Sequence, residues 1–146
     1  MRIKVKMNRI PELANATPEL RDACARAVGF ALQEETVEQI RSMGAVDTGA
    51  MMNSVYLETH SMSERGAAVS AAATRAGAAS KEFLEAIPSG RPGRGMSKVA
   101  LAANYAVYVH QGARGRASRP FLMVAGQNVS GQARRIVAGL VKEWAG

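Results

Sequence analysis

The sequence predicts an α+β domain in which a long N-terminal helix and a C-terminal helix pack on a small antiparallel β-sheet. Three observations lead there. Apolar residues recur every three or four positions between Thr17 and Gly44, and they do so again from Pro120 to the C-terminus. Between these stretches they alternate with polar ones. A chain of 146 residues, 47% hydrophobic and 21% charged, holds enough apolar material for one modest core, so a single domain over 1–146 is expected.

Ile3, Val5 and Met7 alternate with Lys4, Lys6 and Asn8, the period of a strand with one buried face. Thr17-Pro18-Glu19 is a helix start: Thr accepts a bond from a free amide, Pro tolerates the first helical position, and Glu suits the positive helix end. Leu20, Cys24, Ala27, Ala31 with Val28 and Leu32 form an apolar stripe, and Val37, Ile40 and Met43 continue it past Glu34-Glu35. Gly44 supplies the stop. Plain core packing accounts for that stripe, and Cys24 within it is small apolar filling. Next, Asp47 caps a short turn and Gly49 lends it backbone freedom. Val55, Leu57, Thr59 and then Ala67, Val69, Ala71, Ala73, separated by residues 61–66, read as the two strands of a hairpin.

Residues from about 75 to 98 are rich in Gly, Ala, Ser, Pro and Arg and read as an insertion or long loop, with a helix-like patch at 80–87. Val99, Leu101 and Ala103 resume a strand. The last element is a helix starting at Pro120, with Leu122, Ala125, Val129, Ala133, Ile136, Leu140 and Trp144 on one side. Gly126, Gly131 and Gly139 weaken it, each by about 1 kcal/mol relative to Ala, so it needs a surface to lie on.

No apolar run approaches the roughly 20 residues that span a bilayer, and the start lacks the apolar block of a signal peptide. The protein is therefore expected in the cytoplasm where it is made. One cysteine excludes an internal disulfide and a cysteine-cluster metal site, and His60 and His110, the only histidines, have no second ligand at metal spacing. No metal or cofactor is expected. The net charge is +7, but it is unevenly spread: +4 over residues 1–9, −6 over 10–64 and +9 over 65–146. Opposite halves attract within one molecule, or pair head-to-tail between copies in a ring.

Asp47-Thr48-Gly49 also spells the active-site string of aspartic proteases, in which two copies bring two carboxylates together to activate water. Such a protease needs an apolar strand just before the Asp, and here a helix-ending Gly44 stands close upstream. A Ser or Cys nucleophile with His110 as base lacks the strained elbow and oxyanion loop that would accompany it. The chain is read as a non-enzyme. Arg91, Arg94, Arg114, Arg116 and Arg119 suit phosphate, since guanidinium groups grip it in a planar fork, yet basic loops are often only solvated. With 5% aromatic residues, none interleaved with these arginines, a stacking platform for single strands is not built. Docking on protein is favoured over nonspecific contact with DNA because the same chain carries the complementary acidic half.

Two segments in order, Val46-Asp47-Thr48-Gly49-Ala50-Met51-Met52-Asn53-Ser54-Val55 and Asn104-Tyr105-Ala106-Val107-Tyr108-Val109-His110-Gln111-Gly112, the second followed by Arg119-Pro120-Phe121-Leu122, resemble the gene-ten-like tail-component family of tailed bacteriophages. A long helix precedes the first and a helix follows the second, as in that family. The resemblance runs from about Thr17 to the C-terminus and leaves 75–98 unmatched. It implies a structural virion protein, a tail-completion or head-tail joining component of the neck, located in the virion and in the host cytoplasm during assembly. Its implied partners are other copies of itself in a ring, six-fold by resemblance, and tail terminator, tail tube or head-stopper and connector proteins, with nonspecific contact to genomic DNA in the channel and none to membrane. By the same resemblance Asp47, Thr48 and Gly49 set the turn into the sheet. Tyr105, Tyr108 and Gly112 support the subunit core or a neighbour, with the tyrosine segment leaning helical, and Pro120 and Phe121 seat the last helix. Where the family usually has a carboxylate, this chain has His110. The five arginines are candidate subunit or ring contacts. The alternative is a nonspecific nucleic-acid-binding basic protein, and behind it the protease.

Overall fold

Thr17 starts the first long helix: its hydroxyl accepts from the Leu20 amide at 3.2 Å and its carbonyl from the Arg21 amide at 3.0 Å. The computed structural model describes residues 2–6, 16–42, 48–68, 91–102, 110, 112 and 120–145. In chain order its elements are β1 (Arg2–Lys6), α1 (Pro18–Ser42), α2 (Thr48–Ser54), β2 (Val55–Thr59), β3 (Met96–Leu101) and α3 (Phe121–Ala145). This is the expected α+β architecture of two long helices on a small antiparallel sheet.

The sheet has the order β1-β3-β2, both pairings antiparallel, so β3 is central. Ile3, Val99 and Leu57 align across it on one face, and Lys4, Lys98 and Glu58 align on the other. The helices cover the first face. A Cβ on Gly29 would lie 2.7 Å from Leu57 Cδ1 and 2.8 Å from Ser97 Oγ, so glycine lets α1 lie close against β2 and β3. Gly126 does the same for α3 over β1, with Ile3 Cδ1 at 3.1 Å from its notional Cβ. Cys24, Val28, Leu32 and Ile40 of α1 join Phe121, Leu122, Ala125, Val129 and Val137 of α3 and Leu57, Val99 and Leu101 of the sheet in one core. Asn128 on α3 donates to Glu35 on α1 at 2.9 Å, and with Gln39 it holds that carboxylate below its ordinary range.

Four expectations change. The turn expected from Thr48 is a helix, α2, which runs directly into β2. Apolar Met51 faces the core from it, and the Ser54 hydroxyl bonds back to the Met51 carbonyl at 2.8 Å, ending the helix as the strand begins.

β2 pairs with β3 and not with a strand over 67–73, since residues 65–68 are helical. Alternating alanines read as a strand by hydropathy, but alanine is the best helix former, and the Ala68 amide closes onto the Glu64 carbonyl at 3.1 Å. Residues 69–73 lie outside the described residues.

β3 begins at Met96, inside the stretch read as a loop. Its polar Ser97 and Lys98 hid it. Finally, Trp144, assigned to the buried stripe of the last helix, is 54% exposed, while Val137 is fully buried. The helix outruns the surface it lies on. Gly44, Asp47, Ala103 and the 80–87 patch lie outside the described residues.

Candidate functional site

The residues singled out in the sequence gather at two helix starts and one turn. At α3, the Pro120 carbonyl accepts the Val124 amide at 3.0 Å, so Pro120 sits at the cap position and Phe121, fully buried, opens the helix. His110 reaches the same end. Its Nε2 accepts from the Met123 amide at 3.3 Å, and its ring stands edge-on to Phe121, centroids 5.3 Å apart at 86°. A free amide of the first helical turn thereby gains an acceptor. Burial pushes the His110 imidazole down from its ordinary value, which favours the neutral form that this bond needs. A carboxylate, the group usual here in the resembled family, would accept the same amide and suit the positive helix end. Gly112, two residues on, has φ +80°, in the left-handed region that favours glycine.

The second cluster joins α1 to the entry of β3. Asp22 accepts from the Gly95 amide at 2.6 Å through one oxygen and from Arg94 Nε at 3.2 Å through the other. Gly95 itself has φ +71°, and the Met96 amide closes the turn onto the Gly93 carbonyl at 3.2 Å. Arg94 is thus engaged within the chain, with half of its side chain still exposed. Arg91, also among the candidate contacts, is exposed. Arg114, Arg116, Arg119, Tyr105, Tyr108 and Asp47 lie outside the described residues. Thr48 and Gly49 are the first two residues of α2.

A third group escaped the sequence reading. Lys98 and Glu58 face each other across β3 and β2, Nζ to Oε1 at 2.7 Å, with side chains only 1% and 3% exposed. Ser63 donates to the other Glu58 oxygen at 2.7 Å, and Arg65 bonds the hydroxyl of buried Tyr56. Burial, and then the charge of Glu58, push that hydroxyl up from its ordinary value, against Arg65 and Arg2. Lys4 stands on the far side of Lys98 in the same row, so the order is Lys4, Lys98, Glu58 across three strands. Two like charges side by side repel, and Glu58 offsets this. A signal was present: Glu58 and Lys98 are the only charges in β2 and β3, but nothing local announces that the two strands are neighbours.

Among the described residues, no group of three or more His, Cys, Asp or Glu stands where it would hold a metal ion, and no helix is long and apolar enough to cross a membrane. Cys24 is buried, and that burial pushes its thiol up, away from the reactive thiolate. What these clusters do is fix backbone: a helix cap, a turn clamp and a strand register. The chain matches no family model, no curated protein and no solved structure.

Proposed function

We propose that this chain is a structural virion protein of a tailed phage, a neck or tail-completion component that joins tail to head and forms part of a ring around the DNA channel. The observation that carries the reading is the order of the two motif segments between a long helix and a C-terminal helix. The motif residues that are described have architectural duties, which fits a scaffold. Thr48 to Ser54 lead into β2, Gly112 adopts a left-handed backbone, and Pro120 and Phe121 start α3. No catalytic step is assigned to any of them. Tail terminator, tail tube and head-stopper proteins are the neighbours this role implies.

Electron microscopy of lysates from a producing phage with this gene deleted tests the role. Full heads beside separate, finished tails are expected. Normal infectious particles would reject it.

A second reading, nonspecific contact with nucleic acid, is favoured by the net charge of +7 together with exposed Arg2, Lys4, Arg91, Arg135 and Lys142. It predicts DNA affinity that falls steeply with salt, measured by titration between low and physiological ionic strength.

A further inference from the structure

The described sheet has two edges, β1 and β2, and they are closed in different ways. An edge strand presents unpaired amides and carbonyls to any other strand that meets it. On β2 the chain itself turns back to meet them. After Thr59 it reverses through His60 and Ser61: the Thr59 amide donates to the Met62 carbonyl at 2.8 Å, Ser63 stands opposite Glu58, and the Glu64 amide donates to the Leu57 carbonyl at 3.0 Å.

A continuing strand would next bring the Glu64 carbonyl to the Leu57 amide. That carbonyl is engaged elsewhere, since it accepts the Ala68 amide at 3.1 Å as the chain leaves the sheet in the helical turn 65–68. The Glu64 carboxylate takes its place. Its Oε1 accepts from the Leu57 amide at 3.0 Å and from Gln33 Nε2 of α1 at 2.8 Å. Residues 60–64 thus form a strap that closes the middle of the β2 edge and is pinned from α1.

No such strap is described on β1, where charge serves instead. Antiparallel pairing of β1 with its own copy, centred on Lys4, sets Lys4 against Lys4 and Arg2 against Lys6, and like charges directly opposite repel. The same pairing of β2, centred on Leu57, sets Val55 against Thr59 and Tyr56 against Glu58. No like charges stand directly opposite there, and each Glu58 keeps its own Lys98. β-Branched Val55 and Thr59 and aromatic Tyr56 suit a strand pair. Without its strap, the β2 edge is self-complementary.

We propose that the Glu64 strap masks a strand-pairing site on β2, and that the partner it holds off is β2 of a second copy. In the pair the two Leu57 residues exchange amide and carbonyl bonds, taking over both contacts that Glu64 makes with Leu57 within one chain. The contact is isologous, so it stops at two copies. It goes beyond the virion role and does not rest on it.

Hydrogen exchange of the Leu57 amide in the full chain, followed over a wide range of protein concentration, tests it, with sedimentation and thermal unfolding of each variant alongside. In wild type the exchange is expected to be slow and independent of concentration. Glu64→Pro removes in one substitution the amide that donates to Leu57 and the carboxylate that accepts from it, at the start of a helical turn, where proline is tolerated. The Leu57 amide is then expected to exchange at least about tenfold faster at low concentration, and to regain protection at high concentration as dimers form. Glu64→Gln keeps the amide donor and a side-chain oxygen acceptor and is expected to match wild type. If E64P loses its cooperative unfolding transition, Glu64→Ala, which leaves the backbone amide in place, is read instead and is expected to show the same two changes at smaller size. An unchanged Leu57 exchange rate at low concentration, a faster rate that does not respond to concentration, or an E64Q chain that dimerises as E64P does would overturn the proposal.

Discussion

Over β2 and β3 both faces of the sheet are buried, but they are held by different physics. On the helix side, Ile3, Val99 and Leu57 lie under α1 and α3, and their burial is a matter of area and fit. On the other side, Tyr56, Glu58 and Lys98 are buried to within 2% of full enclosure, and each needs a particular partner. An apolar residue accepts any neighbour of the right shape. A buried charge needs a counter-charge and hydrogen bonds at its remaining positions. The first face therefore tolerates exchange of like for like in shape, and the second only paired exchange.

Breaking the charged face gives the largest expected effect. Lys98→Met leaves Glu58 buried with the Ser63 hydroxyl still bonded to one oxygen but no counter-charge at the other, and losing one member of a buried pair costs about 3–5 kcal/mol. Replacing both, as Lys98→Met with Glu58→Leu, removes the stranded charge and is expected to recover most of that loss. Chemical denaturation of the two single variants and the double variant measures the coupling. A double variant as unstable as Lys98→Met would show that the pair is not what holds this face.

The apolar face is tested by volume. Gly29→Ala puts a methyl group where Leu57 Cδ1, Ser97 Oγ and Ser97 Cβ stand at 2.7, 2.8 and 3.0 Å. Overpacking of this kind costs about 1–3 kcal/mol, against a helix-propensity gain of about 1 kcal/mol, so net destabilisation of up to about 2 kcal/mol is expected. Gly131→Ala, with open space around it, is expected to stabilise by roughly 0.5–1 kcal/mol. Opposite signs for one substitution on two helices would establish that packing decides; equal signs would mean that α1 slides away from the sheet at little cost.

This contrast also explains what was legible in the sequence. The helix-facing residues obey the periods of helix and strand, so both long helices, their starts at Thr17 and Pro120, and the first residues of β1 and β2 were readable. The charged face breaks the pattern. In β2 the alternation of Val55, Leu57 and Thr59 with Tyr56 and Glu58 implies one wet side, yet all five are buried. Lys98 looked like loop material because a lysine inside a strand is expected to face water, and only its position opposite Glu58 makes it a core residue. Thr59 and Ser97 show the converse: they stand opposite each other on the helix side, and neither buried hydroxyl has a hydrogen-bond partner among the described residues. Long-range pairings of this kind leave no local trace. Neither does the Asp22 clamp, which joins residues 73 apart.

The smallest expected effect concerns how the cover of the apolar face is seated. α3 begins where His110 Nε2 accepts the Met123 amide, and that acceptor exists only while Nε2 carries no proton, so the neutral ring must hold its hydrogen on Nδ1. A protonated ring would lose the bond and set a positive charge at the positive helix end. The unfolded chain takes up this proton near pH 6.5, whereas burial holds the folded His110 below that value. Above about pH 6.5 both states are neutral here and the contribution is complete. As pH falls from 6.5 towards the depressed folded value, the unfolded state binds the proton first and stability declines. Gln at this position keeps an acceptor and does not titrate. Urea midpoints of wild type and His110→Gln are therefore expected to run level above pH 7 and to separate below 6.5, with wild type falling. The gap is limited to about 1 kcal/mol by what one cap contributes. Curves that stay parallel down to pH 5 would show that His110 does not titrate against the fold, leaving Phe121 packing alone to seat the helix.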